Sequence, residues 1–307
     1  MKVLRGLPSH WPSDGVARAV TVGVFDGVHL GHRHIVRVLG ERAAADGLEP
    51  AVITFDPHPL AVVTPDRAPA MLTGIEHRIE LLGSLGVELV AVLPFDETVR
   101  AWSAEAFVGE TIAGALRAGL VVVGTDFRFG RGRAGDVDLL AELGEASGFG
   151  VEVVPLVGDD LPVSSTRIRE MIAGGEVAVA AEALGRPHEL WGEVVAGDGR
   201  GRSIGVPTAN LAVAPGMALP GRGVYAATAG RAREEAIPAV ANVGTRPTFD
   251  GEDVTVEAHL LEFDEDLYGE VLRLRFVDRI RDEQRFEGPE ELVEQIRRDI
   301  ERAHEIL

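Results

Sequence analysis

Two histidines in a glycine-rich turn are the residues of this chain best suited to chemistry. Residues 20–36 read VTVGVFDGVHLGHRHIV, so His29 and His32 follow an apolar, β-branched stretch and precede an apolar stripe of helical spacing. This order predicts a strand, a turn and a helix. A helix start carries N–H groups without partners and attracts phosphate. Imidazoles beside it can donate hydrogen bonds to phosphoryl oxygens as charge develops, so the turn predicts a phosphate site.

The same turn has two other interpretations. His29, His32 and His34 could bind zinc, because histidines three residues apart can converge, but no matching set of carboxylates or cysteines accompanies them. An ordinary turn with satisfied imidazoles is the second alternative. The phosphate site is the favoured interpretation of the three.

Composition limits the classes of protein to consider. The 307 residues are 46% apolar, which is enough for two domains, and the absence of cysteine excludes disulfides, thiolate nucleophiles and cysteine-bound zinc. A net charge of −19 argues against binding to nucleic acid or to an anionic membrane. No apolar run approaches membrane-spanning length. We therefore expect a cytoplasmic protein with small-molecule partners, and a homo-oligomer stays open.

The lysine content restricts how the chain can bind ATP. Lys2 is the only lysine. A Walker-type phosphate loop, a protein-kinase site and a Schiff-base site each need an interior lysine. A nucleotide site in this chain must therefore use glycines, helix ends, arginine and histidine.

The first half of the chain alternates strands and helices. Beyond residues 20–24, the pattern predicts strands over 51–55, 87–93, 120–123 and 151–156, and helices over 75–85, 104–117 (with Ser103 as N-cap) and 136–147. Nearly continuous β-branched runs predict a parallel sheet covered on both faces, in a Rossmann-like α/β domain. Ligands of such sheets lie beyond the carboxyl ends of the strands. The unusual loops lie at that edge: 26–32, 56–59, 124–133 and 164–169.

The second half follows a different pattern. After Gly185 the helical periodicity gives way to short alternating strands separated by glycine and proline, over 189–195, 208–213, 223–229, 237–243, 254–263 and 271–277. These predict an antiparallel barrel or sandwich. Residues 289–306 predict an amphipathic helix with proline in its first turn. We expect one domain over 1–183 and another over 184–307.

A series of motifs resembles one family along most of the chain. The first half contains GVFDGVHLGH, TFDPHP, GTDFRFG and SSTRIR, and the second half contains LGRP, GDGRGRSIGVPTANL, GVYA, NVGTRPTF and VEAHLLEFDEDLYG. In this order they are similar to the bacterial bifunctional riboflavin kinase/FMN adenylyltransferases. The resemblance implies a nucleotidyltransferase domain followed by a small β-barrel kinase domain with a C-terminal helix. Its substrates would be riboflavin, FMN and ATP, with Mg²⁺.

For the first turn, the resemblance implies adenylyl transfer to FMN. His29 and His32 would be catalytic, and the ATP contacts would come from Gly23, Phe25 and Gly31. The FMN phosphate is already an anionic nucleophile, so catalysis would consist mainly of positioning and charge neutralisation.

The segment SSTRIR offers an anion site of its own. Ser164, Ser165 and Thr166 are good N-cap residues, whose hydroxyls and following N–H groups can bind an anion, and Arg167 and Arg169 add permanent charge. The alternative is a plain helix cap with solvated arginines. The resemblance implies that Arg169 is catalytic and binds the ATP phosphates.

Two further loops are candidates for flavin contacts. Phe127 and Phe129 flank Arg128, a combination that could stack on a flat ring and contact phosphate, whereas the alternative is a basic loop with its phenylalanines packed inward. The resemblance implies that Asp126 is a catalytic polar residue. It also implies that His58 contacts the flavin phosphate, although TFDPHP alone is an ordinary proline-bounded turn.

The kinase half carries a glycine loop and a metal candidate. Glycines 199, 201 and 205 invite a dinucleotide-fold interpretation, which the absence of a strand–helix context excludes. Either a hairpin turn or a loop over ATP phosphates remains, the latter with contacts from Gly199, Arg200 and Gly201. Thr208 and Asn210 offer neutral oxygens suited to Mg²⁺ beside ATP, although PTAN alone is an ordinary turn.

Glu257 is the candidate base of the kinase half. Residues 254–260 alternate, with Glu257 on the polar face, where the alternative is a solvated strand face. The resemblance implies that Glu257 accepts the proton of the riboflavin 5′-hydroxyl. His188, Ala196 and Val206 depart from residues usual in the family, which bears on flavin packing and loop closure.

Two other functions stay open. One is a nucleotidyltransferase for another phosphorylated substrate with a merely binding barrel, which Glu257 remote from PTAN would favour. The other is a flavin-binding sensor without catalysis. Intact PTAN, Glu257 and the paired histidines argue against both.

Overall fold

The protein is described by a computed structural model that covers residues 1–155, 163–197, 205–231, 236–248 and 251–307. The chain forms two compact units. The first unit comprises Met1–Pro69 and Gly74–Ser164, and the second comprises Ala70–Thr73 and Ser165–Leu307. The two helices within residues 165–184 therefore belong to the second unit, although the sequence pattern changes only after them.

The first unit is built on a six-stranded sheet whose neighbouring strands are all parallel, which confirms the predicted sheet. In spatial order the strands run β1-β4-β3-β2-β5-β6. Their bounds are β1 (Lys2–Arg5), β2 (Arg18–Val22), β3 (Glu49–Asp56), β4 (Leu89–Pro94), β5 (Ala118–Gly124) and β6 (Gly150–Val154).

Helices cover both faces of this sheet, as the sequence predicts. They are α1 (Leu30–Asp46), α2 (Pro59–Val63), α3 (Ile75–Ser84), α4 (Glu97–Arg100), α5 (Ala104–Phe107) and α6 (Val137–Ser147). Successive strand residues point into opposite cores: Val121 and Val123 pack in one, and Leu120 and Val122 in the other. Two buried faces explain the continuous apolar runs.

The helix predicted over 104–117 differs from the one observed. Ser103 caps it as predicted, since its Oγ accepts a hydrogen bond of 3.2 Å from the Ala106 N–H. After α5, however, the chain forms a π-helix over Val108–Ala115. A Cβ on Gly114 would lie 2.6 Å from the carbonyl oxygen of Gly109, so the wider turn needs glycine at that position.

The second unit contains a closed, six-stranded antiparallel barrel, which confirms the barrel and excludes the sandwich. The strands follow the order β10-β11-β8-β7-β12-β9 and close on β10. Their bounds are β7 (His188–Val195), β8 (Ala209–Val213), β9 (Gly223–Gly230), β10 (Ile237–Thr248), β11 (Gly251–Leu260) and β12 (Val271–Arg281). Inward side chains such as Leu190, Tyr225 and Leu274 fill the barrel.

Among the residues that the structure describes, three helices and one short segment complete the second unit. The helices are α7 (Ser165–Ala173), α8 (Val177–Leu184) and the predicted C-terminal α9 (Pro289–Ile306). In the segment Ala70–Thr73, the Met71 N–H donates to the Gly216 carbonyl at 2.7 Å, and the Met71 carbonyl accepts from the Ala218 N–H at 2.8 Å. This segment is therefore a backbone-paired part of the barrel unit.

Candidate active sites

His29 and His32 lie together at the start of α1. His29 is the N-cap of α1, and its Nδ1 accepts a hydrogen bond of 3.4 Å from the backbone N–H of His32. The two imidazole rings stack with centroids 3.6 Å apart. His29 is only 5% exposed. Because Nδ1 of His29 is an acceptor, the proton of its neutral ring is on Nε2, which can serve as a donor.

The turn before α1 has a strained backbone. Phe25 and Val28 have positive φ angles of 52° and 41°, a conformation that costs energy for bulky and β-branched side chains. Both side chains are buried, and the Phe25 ring packs edge-on against His32 with centroids 5.1 Å apart. Burial of these two side chains thus holds the turn in a shape that its backbone alone disfavours.

Gly23 and Gly31 make space for this arrangement. A Cβ on Gly31 would lie 3.2 Å from two ring atoms of His29, and a Cβ on Gly23 would lie 3.1 Å from the Phe25 ring. The carbonyl oxygen of Val163 would be 3.6 Å from the same Cβ on Gly31. The chain that leads into SSTRIR therefore passes the start of α1, with Ser164 as the next residue.

His32 is a neutral donor by its surroundings. Burial lowers the pKa of His32 well below its usual value, and the electrostatic repulsion that its charged form would meet from His29 and Arg78 lowers it further. Its Nδ1 is a buried atom without a hydrogen-bond partner within the described part of the chain. A buried polar atom without a partner needs an explanation, and a ligand bound at this turn would supply one. No group of three acidic, histidine or cysteine side chains that could hold a metal occurs among the described residues.

Arg78 on α3 is a site residue that the sequence did not reveal. It is 1% exposed, and its Nη1 donates hydrogen bonds to Thr54 Oγ1 at 3.2 Å and to the Phe55 carbonyl at 3.1 Å. Thr54 Oγ1 in turn donates to the Val24 carbonyl at 2.9 Å. This chain of hydrogen bonds joins the end of β3 to the turn that carries the histidines.

The charge of Arg78 is balanced locally. Burial lowers the pKa of Arg78, whereas the carboxylates of Asp26 and Asp56 raise it. Asp26 is itself buried in the turn after β2. An arginine on the apolar side of an amphipathic helix was the available sequence signal, because such a position normally holds an aliphatic residue.

His58 and the 124–136 loop hold the predicted flavin contacts. His58 caps α2, where its Nδ1 accepts a hydrogen bond of 3.1 Å from the Leu60 N–H, and the preceding Asp56–Pro57 peptide is cis. Asp126 and Arg128 are exposed. The structure thus shows a capped, proline-bounded turn and two exposed polar side chains.

Phe127 and Phe129 have different environments. Phe129 is 6% exposed and packs in the core, where its ring stacks on Phe127 with centroids 5.3 Å apart and contacts Phe107 at 6.1 Å. Phe127 is half-buried above it. The inward-packed alternative therefore describes Phe129 fully and Phe127 in part, since Phe127 packs against the same core and keeps some of its surface exposed.

The SSTRIR residues divide between the two units. Ser164 belongs to the first unit, whereas Ser165 begins α7 in the second unit, together with Thr166 and Arg169. Arg169 Nε donates a hydrogen bond of 2.6 Å to the Ala70 carbonyl. Arg169 thus has a protein acceptor within its own unit.

In the barrel, the structure brings the predicted base and metal ligands together. Glu257 on β11 is paired in register with Asn210 on β8. The Thr208 hydroxyl donates a hydrogen bond of 3.3 Å to Glu257 Oε2. Glu257 is therefore not remote from PTAN, and the observation that would have favoured a nucleotidyltransferase with a merely binding barrel is not made.

Two neighbours fix the position of PTAN. His259, two residues after Glu257 on the same strand face, donates from Nδ1 to the Pro207 carbonyl at 2.7 Å. Gly197 covers the Asn210 amide so closely that a Cβ there would lie 2.6 Å from Asn210 Cγ. The loop that begins at Gly197 thus starts directly over Asn210. Gly199, Arg200 and Gly201 lie outside the described residues.

A cavity of about 360 Å³ opens at the end of the barrel next to Thr208. Its lining includes the apolar residues Ala258 and Leu260 and the aromatic residues Phe263 and Tyr268. The loop between β11 and β12 adds three acidic side chains: Asp264, Glu265 and Asp266. The volume lies within the usual range of small-ligand pockets, and barrel mouths are frequent ligand sites.

His188, one of the three departures from the family pattern, is a structural residue of the barrel. It is buried, and its Nε2 donates to the Ala218 carbonyl at 2.8 Å. Its ring lies 6.3 Å from that of Phe276. The histidine therefore has a complete set of neighbours inside the barrel and needs no flavin to explain it.

Within the described residues, none of the helices has the length and hydropathy required to cross a membrane. Two family models match the chain: FAD synthetase over residues 13–167 and riboflavin kinase over residues 184–307. Each match corresponds to one half of the sequence and contains one of the two sites described above.

Relatives of known name match the chain from end to end. The bifunctional riboflavin kinase/FMN adenylyltransferase of Escherichia coli K12 is 39% identical over 310 residues, which cover 100% of this chain and 98% of that protein. The protein of the same name from Bacillus subtilis 168 is 35% identical over 96% of this chain and 95% of its own. A crystal structure from Streptococcus pneumoniae, which carries the name macrolide-efflux protein, superimposes with a TM-score of 0.89 at 32% identity over 99% of both chains. With both family models and relatives matched over its whole length, the chain belongs to the family of bifunctional riboflavin kinase/FMN adenylyltransferases.

Proposed function

We propose that the barrel site phosphorylates riboflavin with Glu257 as its base, and that the turn after β2 transfers AMP from ATP to FMN with His29 and His32. The overall conversion, from riboflavin through FMN to FAD with ATP, is that of the family. The observation that supports the kinase assignment most directly is the contact between Thr208 and Glu257 beside Asn210. The proposed division of labour is 1–183 for adenylyl transfer and 184–307 for phosphorylation.

Phosphorylation needs a base because the nucleophile is a neutral alcohol. The riboflavin 5′-hydroxyl loses its proton to Glu257 as its oxygen bonds to the γ-phosphorus of ATP, and ADP leaves. The Thr208 hydroxyl donates to Glu257 Oε2, which fixes the carboxylate and leaves the other oxygen for the incoming hydroxyl. His259 and Gly197 hold the neighbouring PTAN residues in place.

The donor set around Glu257 fits Mg²⁺. The Thr208 hydroxyl directs its proton to Glu257, so its lone pairs face away from the carboxylate, and the Asn210 amide oxygen lies on the adjacent strand. Hard oxygen donors such as these suit Mg²⁺ held together with ATP phosphates. When bound, the ion neutralises charge on the transferred phosphoryl group.

The barrel-mouth cavity is suited to the adenosine end of this ATP. It borders Thr208, and Phe263 and Tyr268 offer faces to a purine. The acidic residues that line it repel phosphate and offer acceptors to an exocyclic amino group. The triphosphate is therefore directed out of the cavity, toward Thr208 and Asn210.

Adenylyl transfer at the other site needs no base. An FMN phosphate oxygen bonds to the α-phosphorus of ATP, the bond to the β-phosphate oxygen breaks, and pyrophosphate leaves. The N–H on Nε2 of His29, the N–H of neutral His32 and the start of α1 supply donors where negative charge grows. Neutral imidazoles suit this role because they donate without a counter-ion.

The remaining predicted contacts complete this proposal. Phe127 and Arg128, with Phe129 beneath them, and His58 would bind FMN, and Asp126 would be a catalytic polar residue. ATP contacts would come from Gly23, Phe25, Gly31, Ser164, Ser165 and Thr166, and Arg169 would bind the phosphates. We further propose small-molecule partners without nucleic acid, since the net charge is −19. The cytoplasmic location stays a prediction, and a homo-oligomer stays open.

The proposal is tested by following both reactions in one chain. Purified enzyme is incubated with riboflavin, ATP and Mg²⁺, and the flavins are separated by chromatography over time. Glu257→Gln should slow riboflavin phosphorylation by about 10²–10⁴-fold and spare conversion of added FMN to FAD. Thr255→Val, on the same face of β11, is the matched control.

The reciprocal variant tests the histidine site. His32→Ala should slow FMN adenylylation by about 10²–10³-fold and spare riboflavin phosphorylation. His34→Asn is the matched control, because His34 is a histidine of the same helix whose side chain forms an exposed hydrogen bond with Arg37. Full kinase activity in the Glu257 variant, or full adenylylation in the His32 variant, would overturn the corresponding assignment.

A further inference from the structure

A row of three polar side chains crosses the outer face of the barrel. Asn242 on β10 is paired in register with Glu257 on β11, and Glu257 with Asn210 on β8. Ala241 and Val243 are 0% exposed and point into the barrel core, so Asn242 between them points outward, as Glu257 does. Asn242 therefore lies directly beside the proposed base, and nothing in the phosphorylation scheme above uses it.

The two neighbours of Glu257 face different substrates. Thr208 and Asn210, assigned to the nucleotide, lie on the β8 side of Glu257, and Asn242 lies on the β10 side. In phosphoryl transfer, the attacking and leaving oxygens are roughly in line on opposite sides of phosphorus. With the nucleotide on the β8 side, the alcohol must approach from the β10 side. Asn242 is thus the polar group that the alcohol substrate meets.

Beside Asn242 on this face lie a glycine without a side chain and, reaching over it, the carboxylate of Glu283. Gly244 follows two residues later on the same face, and a Cβ there would lie 3.1 Å from Asn242 Nδ2 and 2.7 Å from Glu283 Oε1. Adjacent strands are about 4.8 Å apart, which matches the reach from a primary hydroxyl to a secondary hydroxyl one or two carbons along an extended polyol. An amide can both donate to such a hydroxyl and accept from it.

We propose that Asn242 is a specificity-determining residue of riboflavin phosphorylation, whose amide binds a secondary hydroxyl of the ribityl chain and presents the 5′-hydroxyl to Glu257. This inference rests on the proposed roles of Glu257, Thr208 and Asn210. It adds a substrate contact that discriminates between polyol-bearing flavins and flavins without those hydroxyls. A site that hydrogen-bonds a substrate hydroxyl selects against the analogue lacking it, because its polar group is then left unpaired.

The test is a kinetic comparison of Asn242→Leu with the wild-type enzyme. Leucine has a similar shape and no hydrogen-bonding group, so KM for riboflavin should rise about 5- to 10-fold while KM for ATP stays within about twofold. Val240→Ala, at the preceding outward position of β10, is the matched control. FMN adenylylation by the same chain and the thermal midpoint report whether the variant is folded. Asn242→Ala replaces the leucine variant if the latter unfolds.

Analogues of riboflavin without the 3′- or the 4′-hydroxyl complete the test. The wild-type enzyme should phosphorylate one of them with a kcat/KM about 5- to 10-fold lower than that for riboflavin, and Asn242→Leu should abolish this difference. Equal discrimination in both enzymes, or an increase in KM for ATP instead of riboflavin, would overturn the inference. Glu257→Gln distinguishes failure of the proposed base from failure of the role of Asn242. If Glu257→Gln keeps full activity, the proposed base is refuted. If Glu257→Gln is inactive and Asn242→Leu still discriminates between riboflavin and the analogues as the wild type does, only the role of Asn242 is refuted.

Discussion

The hydrogen bonds from Arg78 through Thr54 to Val24 make a quantitative test of how the histidine turn is held. Thr54→Val keeps the shape of the buried side chain and removes its hydroxyl. The change deletes one neutral hydrogen bond, Thr54 Oγ1 to the Val24 carbonyl, and one charged hydrogen bond from Arg78 Nη1. At about 1 kcal/mol for the first and about 1.5–3 kcal/mol for the second, the first unit should lose about 2.5–4 kcal/mol of unfolding free energy.

Thr54→Ser is the matched control for this variant. It keeps the hydroxyl and loses one buried methyl group, which costs about 1 kcal/mol. The assay is urea unfolding followed by tryptophan fluorescence. Trp11 and Trp102 lie in the first unit, and Trp191 is the remaining tryptophan of the chain. A Trp191→Phe background therefore restricts the signal to the first unit, as two-state treatment of one unit requires.

The same variants should separate the two activities. Thr54→Val should slow FMN adenylylation, since the Val24 carbonyl begins the turn that carries His29, and should leave riboflavin phosphorylation unchanged. If the unfolding free energies of Thr54→Val and Thr54→Ser differ by less than about 0.5 kcal/mol, the Thr54 hydroxyl does not hold the turn.

Three other outcomes can be tested on the same enzyme. The first unit should lose stability as the pH falls below about 6.5, because His32 takes up a proton in the unfolded chain but not in the folded one, where its pKa is lowered. Urea midpoints measured at several pH values should show this loss. In His32→Asn the midpoint should depend less on pH. His259→Ala should raise KM for Mg-ATP in riboflavin phosphorylation about threefold to tenfold, whereas His259→Asn, which can still donate to the Pro207 carbonyl, should retain most of the affinity; equal losses would contradict a positioning role. Gly197→Ala should displace the Asn210 amide and lower kcat/KM for Mg-ATP at least tenfold without slowing FMN adenylylation, and unchanged kinetics would show that Asn210 is not held from above.

The sequence was sufficient for the main architecture because both halves have strong periodicities. Continuous β-branched runs predict buried parallel strands, and alternating runs predict the barrel. Strand β1 was missed, since its four residues lie at an edge, are mostly exposed and show no alternation. The π-helix after α5 was missed as well, because it depends on contact between Gly114 and Gly109 and not on any residue's helix propensity.

The sites were predicted unevenly for a related reason. Glu257 and PTAN are distant in sequence, and only strand register places them side by side. His29 and His32 lie within one turn, so local spacing alone predicts that they are close. The roles of Arg78 and Asn242 depend on tertiary contacts: the place of Arg78 on the apolar side of its helix indicates burial without naming its partners, and an outward asparagine looks in sequence like any polar residue of a strand.

The segment Ala70–Thr73 has a consequence for dividing this enzyme into parts. The chain passes from one unit to the other at residues 70, 74 and 165, so no single cut separates the two activities. A fragment that begins at residue 165 would lack the backbone partners of Gly216 and Ala218 and the acceptor of Arg169. A gene split at one point would therefore encode a kinase half in which these hydrogen-bonding groups lack their partners. Separation of the two activities into two genes would require other residues to replace Ala70–Thr73.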